Sequence, residues 1–232
     1  MTEQSCGELL LEVKNLSFAY KAETPILEDF NFSLTGGEIA GFTGASGCGK
    51  TTLFYCLSGI IPKVFKGNYR GQILLKGKPL EELSLARTSA YLGMVFQNPD
   101  QQLFSDNVLE DIVFGPENLC VPKTEMEERL AFVCDLLPVE PLLYKKVSSL
   151  SGGQKQMAAI ASALAMKPDV LLFDEAFSQL DGEGRTAVAN AILRLRDEGC
   201  GIMMIDHSEE NLKTADRIFR MKKGASLEQR IY

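Results

Sequence analysis

The 232-residue sequence has little of what marks exported, membrane-spanning or metal-binding chains. Its first ten residues, MTEQSCGELL, carry neither a basic start nor a long apolar stretch, so no export leader is expected. The most apolar helical run, Met157 to Met166, holds ten residues, against the roughly 20 that a bilayer-crossing helix needs. Any membrane role is therefore expected through a partner. None of the six cysteines (Cys6, Cys48, Cys56, Cys120, Cys134, Cys200) forms a CxxC pair, so reduced thiols are expected rather than a zinc site. Positive charge is also scarce. A net charge of −7 repels a phosphate backbone and argues against broad nucleic-acid binding, although a local basic pocket for a nucleotide remains compatible with it. There is no internal repeat, no low-complexity tract and a single histidine, His207.

What is present is ordinary for a globular chain: 45% hydrophobic and 24% charged residues, enough for a sizeable core. Apolar patterning predicts strands at Leu9–Ala19, Ile26–Leu34, Ile39–Thr43, Gln72–Leu75 and Tyr91–Phe96, with a helix from Lys50 to about Ser58 and a loop over Ile60–Gly71. From about Pro99 to Ser149 helical periodicity dominates, broken by Pro116, Pro122, Pro138 and Pro141. Beyond it, strands Val170–Phe173, Ile202–Ile205 and a last one at Arg217–Met221 alternate with helices Lys155–Met166 and Gly184–Glu198. The expected fold is α/β: a mostly parallel core, about 9–98 and 150–224, with a helical insertion over about 99–149, forming one domain.

Gly44-Ala45-Ser46-Gly47-Cys48-Gly49-Lys50-Thr51 fits G-x-x-x-x-G-K-[ST] between a predicted strand and a predicted helix. Chance gives such a match on the order of once per hundred chains of this length, so the flanking strand and helix add weight. The glycines let the backbone curl so that its N–H groups face phosphate oxygens, and the helix, which continues through Thr52, adds its positive end. Lys50 is expected to neutralise the β- and γ-phosphates of ATP and the Thr51 hydroxyl to bind Mg²⁺. The same donors should favour a Cys48 thiolate, open to thiol reagents and protected by ATP. Val170–Phe173 ends in Asp174 and Glu175, where ligands collect in open α/β sheets. Asp174 is expected at Mg²⁺ and Glu175 as general base.

Leu150-Ser151-Gly152-Gly153-Gln154 ahead of a helix resembles the signature of the ABC ATPases. The other elements of that family follow in order, over about Leu9 to Gly224. The resemblance implies a P-loop NTPase (RecA-like) core with an N-terminal antiparallel β-subdomain and an inserted α-helical subdomain. It also assigns roles. Tyr20 stacks on adenine. Gln97 senses Mg²⁺ and the attacking water. Asp181, in Ser178-Gln179-Leu180-Asp181, belongs to the dimer-contact loop. His207 contacts the γ-phosphate. Ser151, Gly153 and Gln154 complete the site of a second subunit, so ATP lies in a dimer interface.

After Gln97, Asn98-Pro99-Asp100-Gln101-Gln102-Leu103-Phe104 resembles the ATPases of energy-coupling-factor (ECF) importers, which take up vitamins or transition-metal ions such as cobalt and nickel. That likeness implies peripheral attachment at the cytoplasmic face. The region Gln97–Glu110 would meet coupling helices of an integral-membrane component, with Asp100 or Asp106 pairing with their arginine. Two departures stand out. Ala176-Phe177-Ser178-Gln179 replaces the usual smaller residues, putting Phe177 and Gln179 where subunits should touch, so a heterodimer with a paralogue fits as well as a homodimer. The C-terminal extension common in ECF ATPases is not seen. Another class of ABC transporter, a soluble ABC ATPase and a non-hydrolysing homologue are the competing readings. The intact Lys50, Asp174, Glu175 and His207 speak against the last.

Overall fold

A computed structural model describes residues 7–21, 24–208 and 210–222, and the backbone of 227–230. The chain opens with two long strands, β1 (Leu9–Ala19) and β2 (Leu27–Thr35), paired antiparallel. After β3 (Ile39–Gly44) and α1 (Lys50–Leu57) comes a short helix α2 (Ile60–Lys63), then β4 (Asn68–Leu75) and the two-residue β5 (Lys78–Pro79). Strands β2-β1-β4-β5 form one four-stranded antiparallel sheet. Next follow α3 (Leu85–Tyr91), β6 (Leu92–Val95), α4 (Val108–Asn118), α5 (Lys123–Leu136) and α6 (Gly152–Ala165). The chain continues with β7 (Val170–Asp174), α7 (Gly182–Asp197), β8 (Gly201–Ile205), β9 (Arg217–Met221) and β10 (Leu227–Arg230). The second sheet has the order β10-β9-β3-β8-β7-β6, parallel except for β10.

Strand alternation explains how this second sheet is covered on both faces. Leu171, Phe173, Ile202 and Met204 face a core shared with α6, α7 and the helical segment, including Val108, Ile112 and Val133. Val170, Leu172, Met203 and Ile205 face the opposite core, built with β1, β2 and α1 around Phe18, Phe42 and Phe54. Helices α4 and α5 therefore pack through α6 onto the central sheet and share its core.

Four expectations change. Ile60–Gly71 is not a loop throughout: it holds α2, and β4 starts at Asn68. Gly71 is what lets β4 continue. Its φ of 95° sits where the register against β1 shifts between Lys14 and Ser17, and a Cβ there would strike the Asn15 carbonyl. The strand expected from Tyr91 begins at Leu92, because Ser84 caps an unforeseen helix α3 by accepting from the Arg87 N–H. Helix α4 runs past Pro116 to Asn118. Finally, Arg217–Met221 is not the last strand, since β10 pairs antiparallel beside it.

Candidate nucleotide-binding site

The C-terminal ends of β3, β6, β7 and β8 converge on one place. β3 runs out at Gly44 and α1 starts at Lys50, leaving a tight loop between a buried strand and a half-buried helix. Three glycines make the curl possible, with φ of 156° at Gly44, 75° at Gly47 and 107° at Gly49. A Cβ on Gly44 would lie 2.5 Å from the Met221 carbonyl oxygen and 2.9 Å from Cys48 Sγ, whereas one on Gly47 would meet nothing within 4 Å. The loop is thus closed underneath at Gly44 and open above at Gly47. Ala45 and Ser46 are exposed beside it. Lys50 is buried and its Nζ donates to the Gly44 carbonyl at 2.9 Å and the Ala45 carbonyl at 3.3 Å. The ammonium is therefore held in the cradle. Cys48 differs from expectation: its side chain is only 4% exposed and packs into the core under the loop, out of reach of a reagent in solvent.

Every residue of β7 is buried, which places Asp174 at its end with 4% exposure. Asp174 hydrogen-bonds with the Thr51 side chain, and its Oδ1 has no partner. Burial pushes its carboxyl above the usual range, Thr51 pulls it down, and the Glu175 charge raises it while Lys50 and His207 lower it. Glu175 turns the chain with φ of 50° and donates its N–H to the Ile205 carbonyl. That turn aims its carboxylate at two partners. Oε1 lies 2.8 Å from His207 Nε2, and Oε2 accepts from Gln97 Nε2 at 2.9 Å. Gln97, Asp174, Glu175, His207, Lys50 and Thr51, taken from three strand ends and one helix, thus form one constellation. Tyr20 is about half exposed, edge-on to Phe18, and close enough to Tyr55 on α1 to help raise its pKa, after burial and Asp174.

One contributor went unnoticed in the sequence. Asp206 directly follows β8, is 6% exposed, and accepts from the Ser208 N–H and from Asn211 Nδ2, each at 2.8 Å. It fixes the turn that carries His207. An acid directly before the chain's one histidine, two residues ahead of a serine, is the signal for such a turn.

Ser151, Gly153, Gln154 and Asp181 are not brought to the phosphate loop. They line a cavity of about 280 Å³ with Pro138, Met157 and Glu183. Ser151 caps α6 in a reciprocal capping box with Gln154, and Asp181 caps α7 by accepting from the Gly184 N–H at 2.8 Å. Gln179 packs onto the two signature glycines: a Cβ on Gly152 would meet its Oε1 at 2.6 Å and one on Gly153 its carbonyl oxygen at 3.1 Å. Phe177, expected at a subunit contact, is 4% exposed and belongs to this chain's own core. Its bulk fills the interior beneath the loop.

A second, mainly apolar cavity of about 460 Å³ opens between α3, β6, α4 and α6, with Leu85, Met94, Phe96, Phe114 and Met166 among its walls. Phe104 and Phe114 stack edge-on beside it, 65% and 45% exposed. Asp111 lines this groove, 5% exposed. Its Oδ1 accepts from the Phe104 and Ser105 N–H groups and its Oδ2 has no partner. Asp100, one of the two acids expected to meet a partner's arginine, is already paired with Lys155 at 2.6 Å. Asp106 is exposed outside the groove lining.

A glycine-built phosphate cradle at the switch from β3 to α1, facing two acids at the end of β7, defines a P-loop nucleotide-binding fold. Residues 27–178 match the ABC transporter family, and the chain belongs to it. It is 37% identical over 216 residues to the energy-coupling factor transporter ATP-binding protein EcfA of Methanosarcina acetivorans, covering 93% of this chain and 77% of that one. It is also 37% identical over 218 residues to a protein of Treponema denticola named as an ABC transporter ATP-binding protein, covering 93% of this chain. The chain spans only 34% to 44% of the length of the first curated relatives it matches. Among solved structures, cbiO1 from Clostridium perfringens, part of the ABC transporter complex cbiONQ, superposes with a TM-score of 0.83 at 32% identity, covering 96% of this chain and 88% of that one. No helix among the described residues is long and apolar enough to cross a membrane.

Proposed function

We propose that this chain binds and hydrolyses ATP as the energising subunit of an ECF-type importer of a vitamin or transition-metal ion. The observation that carries the reading is the seat of Glu175, held between Gln97 and His207 next to Asp174 and the Lys50 loop. The loop amides and Lys50 bind the phosphates. On binding, Lys50 exchanges the Gly44 and Ala45 carbonyls for phosphate oxygens. Tyr20 offers its exposed ring to the base. One of the two contacts on the Glu175 carboxylate gives way to the attacking water, and the freed oxygen takes its proton. His207 and Gln97 then orient the γ-phosphate and the water.

The residues present suit Mg²⁺, because Asp174 Oδ1 is an anionic oxygen buried without a partner beside the Thr51 hydroxyl. Thr51 and Asp174 would hold the ion, with Gln97 alongside, and when bound it would draw charge from the β- and γ-phosphate oxygens. Ser151, Gly153, Gln154 and Asp181 face a cavity of their own, which fits a role at the nucleotide of a second subunit, either another copy of this chain or a paralogue. The ECF assignment draws on the EcfA and cbiO1 likenesses and on the groove beside Gln97. We assign that groove to cytoplasmic helices of a membrane component, with the unpaired Asp111 oxygen as the seat for a cationic side chain. The chain would then act as a peripheral subunit at the cytoplasmic face.

Calorimetric titration with ATP and Mg²⁺ tests the binding half of this reading. Wild type should bind and turn over ATP, and Lys50→Ala should do neither. Equal affinity of the two proteins would contradict the assignment of the cradle.

A further inference from the structure

Gln97 reaches the catalytic carboxylate from a segment that is fastened to the helix behind it. Both backbone polar groups of Phe96 are taken by glutamine side chains. Gln156, on α6, donates from Nε2 to the Phe96 carbonyl at 3.2 Å. Gln102 accepts from the Phe96 N–H through Oε1 at 3.3 Å and donates from Nε2 to the Ala159 carbonyl of α6 at 2.9 Å. A third link, Lys155 to Asp100, ties the far end of the segment to the same helix. Gln156 is fully buried among apolar neighbours on α6, Met157, Ala158, Ala159 and Ile160, and its Oε1 has no partner. Leucine or methionine would fill that volume without the unmatched Oε1 and would forfeit only the bond to the Phe96 carbonyl, so that bond, and not packing, accounts for a glutamine here.

We infer that Gln156 is a positioning residue. With Gln102 it makes the Phe96 peptide part of α6, so the position of Gln97 against Glu175 follows the position of the helix that starts at Ser151. Ser151 lies five residues before Gln156, about 7 Å along the helix axis. A shift of Ser151 and Gly153 toward a second subunit's phosphate is carried by one rigid turn of helix to Gln97 in this chain's own site. Nucleotide seen by the signature end thereby sets the geometry around Glu175 in the same chain. This inference rests on the hydrolytic reading above.

The test is Gln156→Met, close in volume and unable to donate, in the full chain alone and combined with Gln97→Ala. A melting temperature within about 4 °C of wild type is expected. Turnover should fall about tenfold in kcat, with KM for ATP within about twofold. The double variant should be no slower than Gln97→Ala, within about twofold, because Gln156 acts only through Gln97. Losses that multiply, or an unchanged kcat, overturn the inference. Hydrogen exchange of the nucleotide-free protein gives a readout without turnover. Amides of 96–102 should exchange about tenfold faster in Gln156→Met, while those of 39–44 and 170–174 keep their rates. Unchanged exchange at 96–102 overturns the clamp. An idle wild type defeats the hydrolytic reading instead, and exchange still decides the clamp. If Gln156→Met does not fold, Gln102→Met breaks the other half and must obey the same cycle.

Discussion

Asp174 should make the nucleotide-free protein less stable than it could be. Its carboxyl is 4% exposed, one oxygen has no partner, and burial is the largest influence on its pKa, which is raised above 3.8. Because the folded chain holds this proton more tightly than the unfolded chain, ionisation at neutral pH opposes folding. The penalty is full above the raised value, shrinks as pH falls through it, and is gone below 3.8. Asp174→Asn removes the charge and keeps an acceptor for Thr51. Asparagine leaves that position unpartnered but uncharged; the extra cost of charge at a buried, unpartnered position is about 1–3 kcal/mol, and each kcal/mol moves the melting point of a chain this long by roughly 2–4 °C. Melting of Asp174→Asn without nucleotide at pH 7.5 should therefore come roughly 2–12 °C above wild type. The gap should narrow in acid, and the stabilisation that ATP and Mg²⁺ give the wild type should disappear. A variant that melts below wild type at pH 7.5, or a gap that widens as pH falls, would refute the reasoning.

Gly44→Ala should lose about 1–3 kcal/mol, read by melting, because its Cβ has a backbone carbonyl against it and its φ is unfavourable. Gly47→Ala should stay within about 1–2 kcal/mol of wild type while binding ATP at least about tenfold more weakly, since its Cβ projects into the open cradle. Thiol labelling should reach the exposed Cys120 before the buried Cys48, and mass mapping of early adducts on Cys48 would contradict the packing described. Asp111→Asn keeps the acceptor for the Phe104 and Ser105 N–H groups and should leave melting unchanged. Its affinity for the detergent-solubilised membrane component should fall roughly tenfold to a hundredfold, the worth of a hydrogen bond to a charged group.

That these residues would meet in one place was legible because the proposed chemistry demands fixed residue types at fixed spacings: the phosphate loop, the acid pair ending an apolar strand, and the lone histidine after β8. Strands buried on both faces, such as Val170–Asp174 and Gly201–Ile205, were equally plain from unbroken apolar runs. What escaped depended on partners distant in sequence. Gly71 looked like a loop residue until Asn15 stood opposite it across a bulge. Phe177 looked like a surface residue because sequence alone does not say which side of the loop it faces. Asp100 looked free, and its partner Lys155 lies 55 residues away. Cys48 lay in the right loop, but its burial follows from the closing of β9 under Gly44. Gln156 carried no signal, since its role depends on a carbonyl 60 residues earlier.

The central claim is that Glu175 activates water at a site completed by a second subunit. Its most direct test is turnover and mass, by light scattering, of wild type and Glu175→Gln with ATP and Mg²⁺. The account predicts that the variant binds ATP, turns over about 10²–10⁴-fold more slowly, and accumulates as an ATP-bound dimer. A variant that hydrolyses ATP at the wild-type rate, or that binds ATP tightly and stays monomeric at every protein concentration, would contradict it.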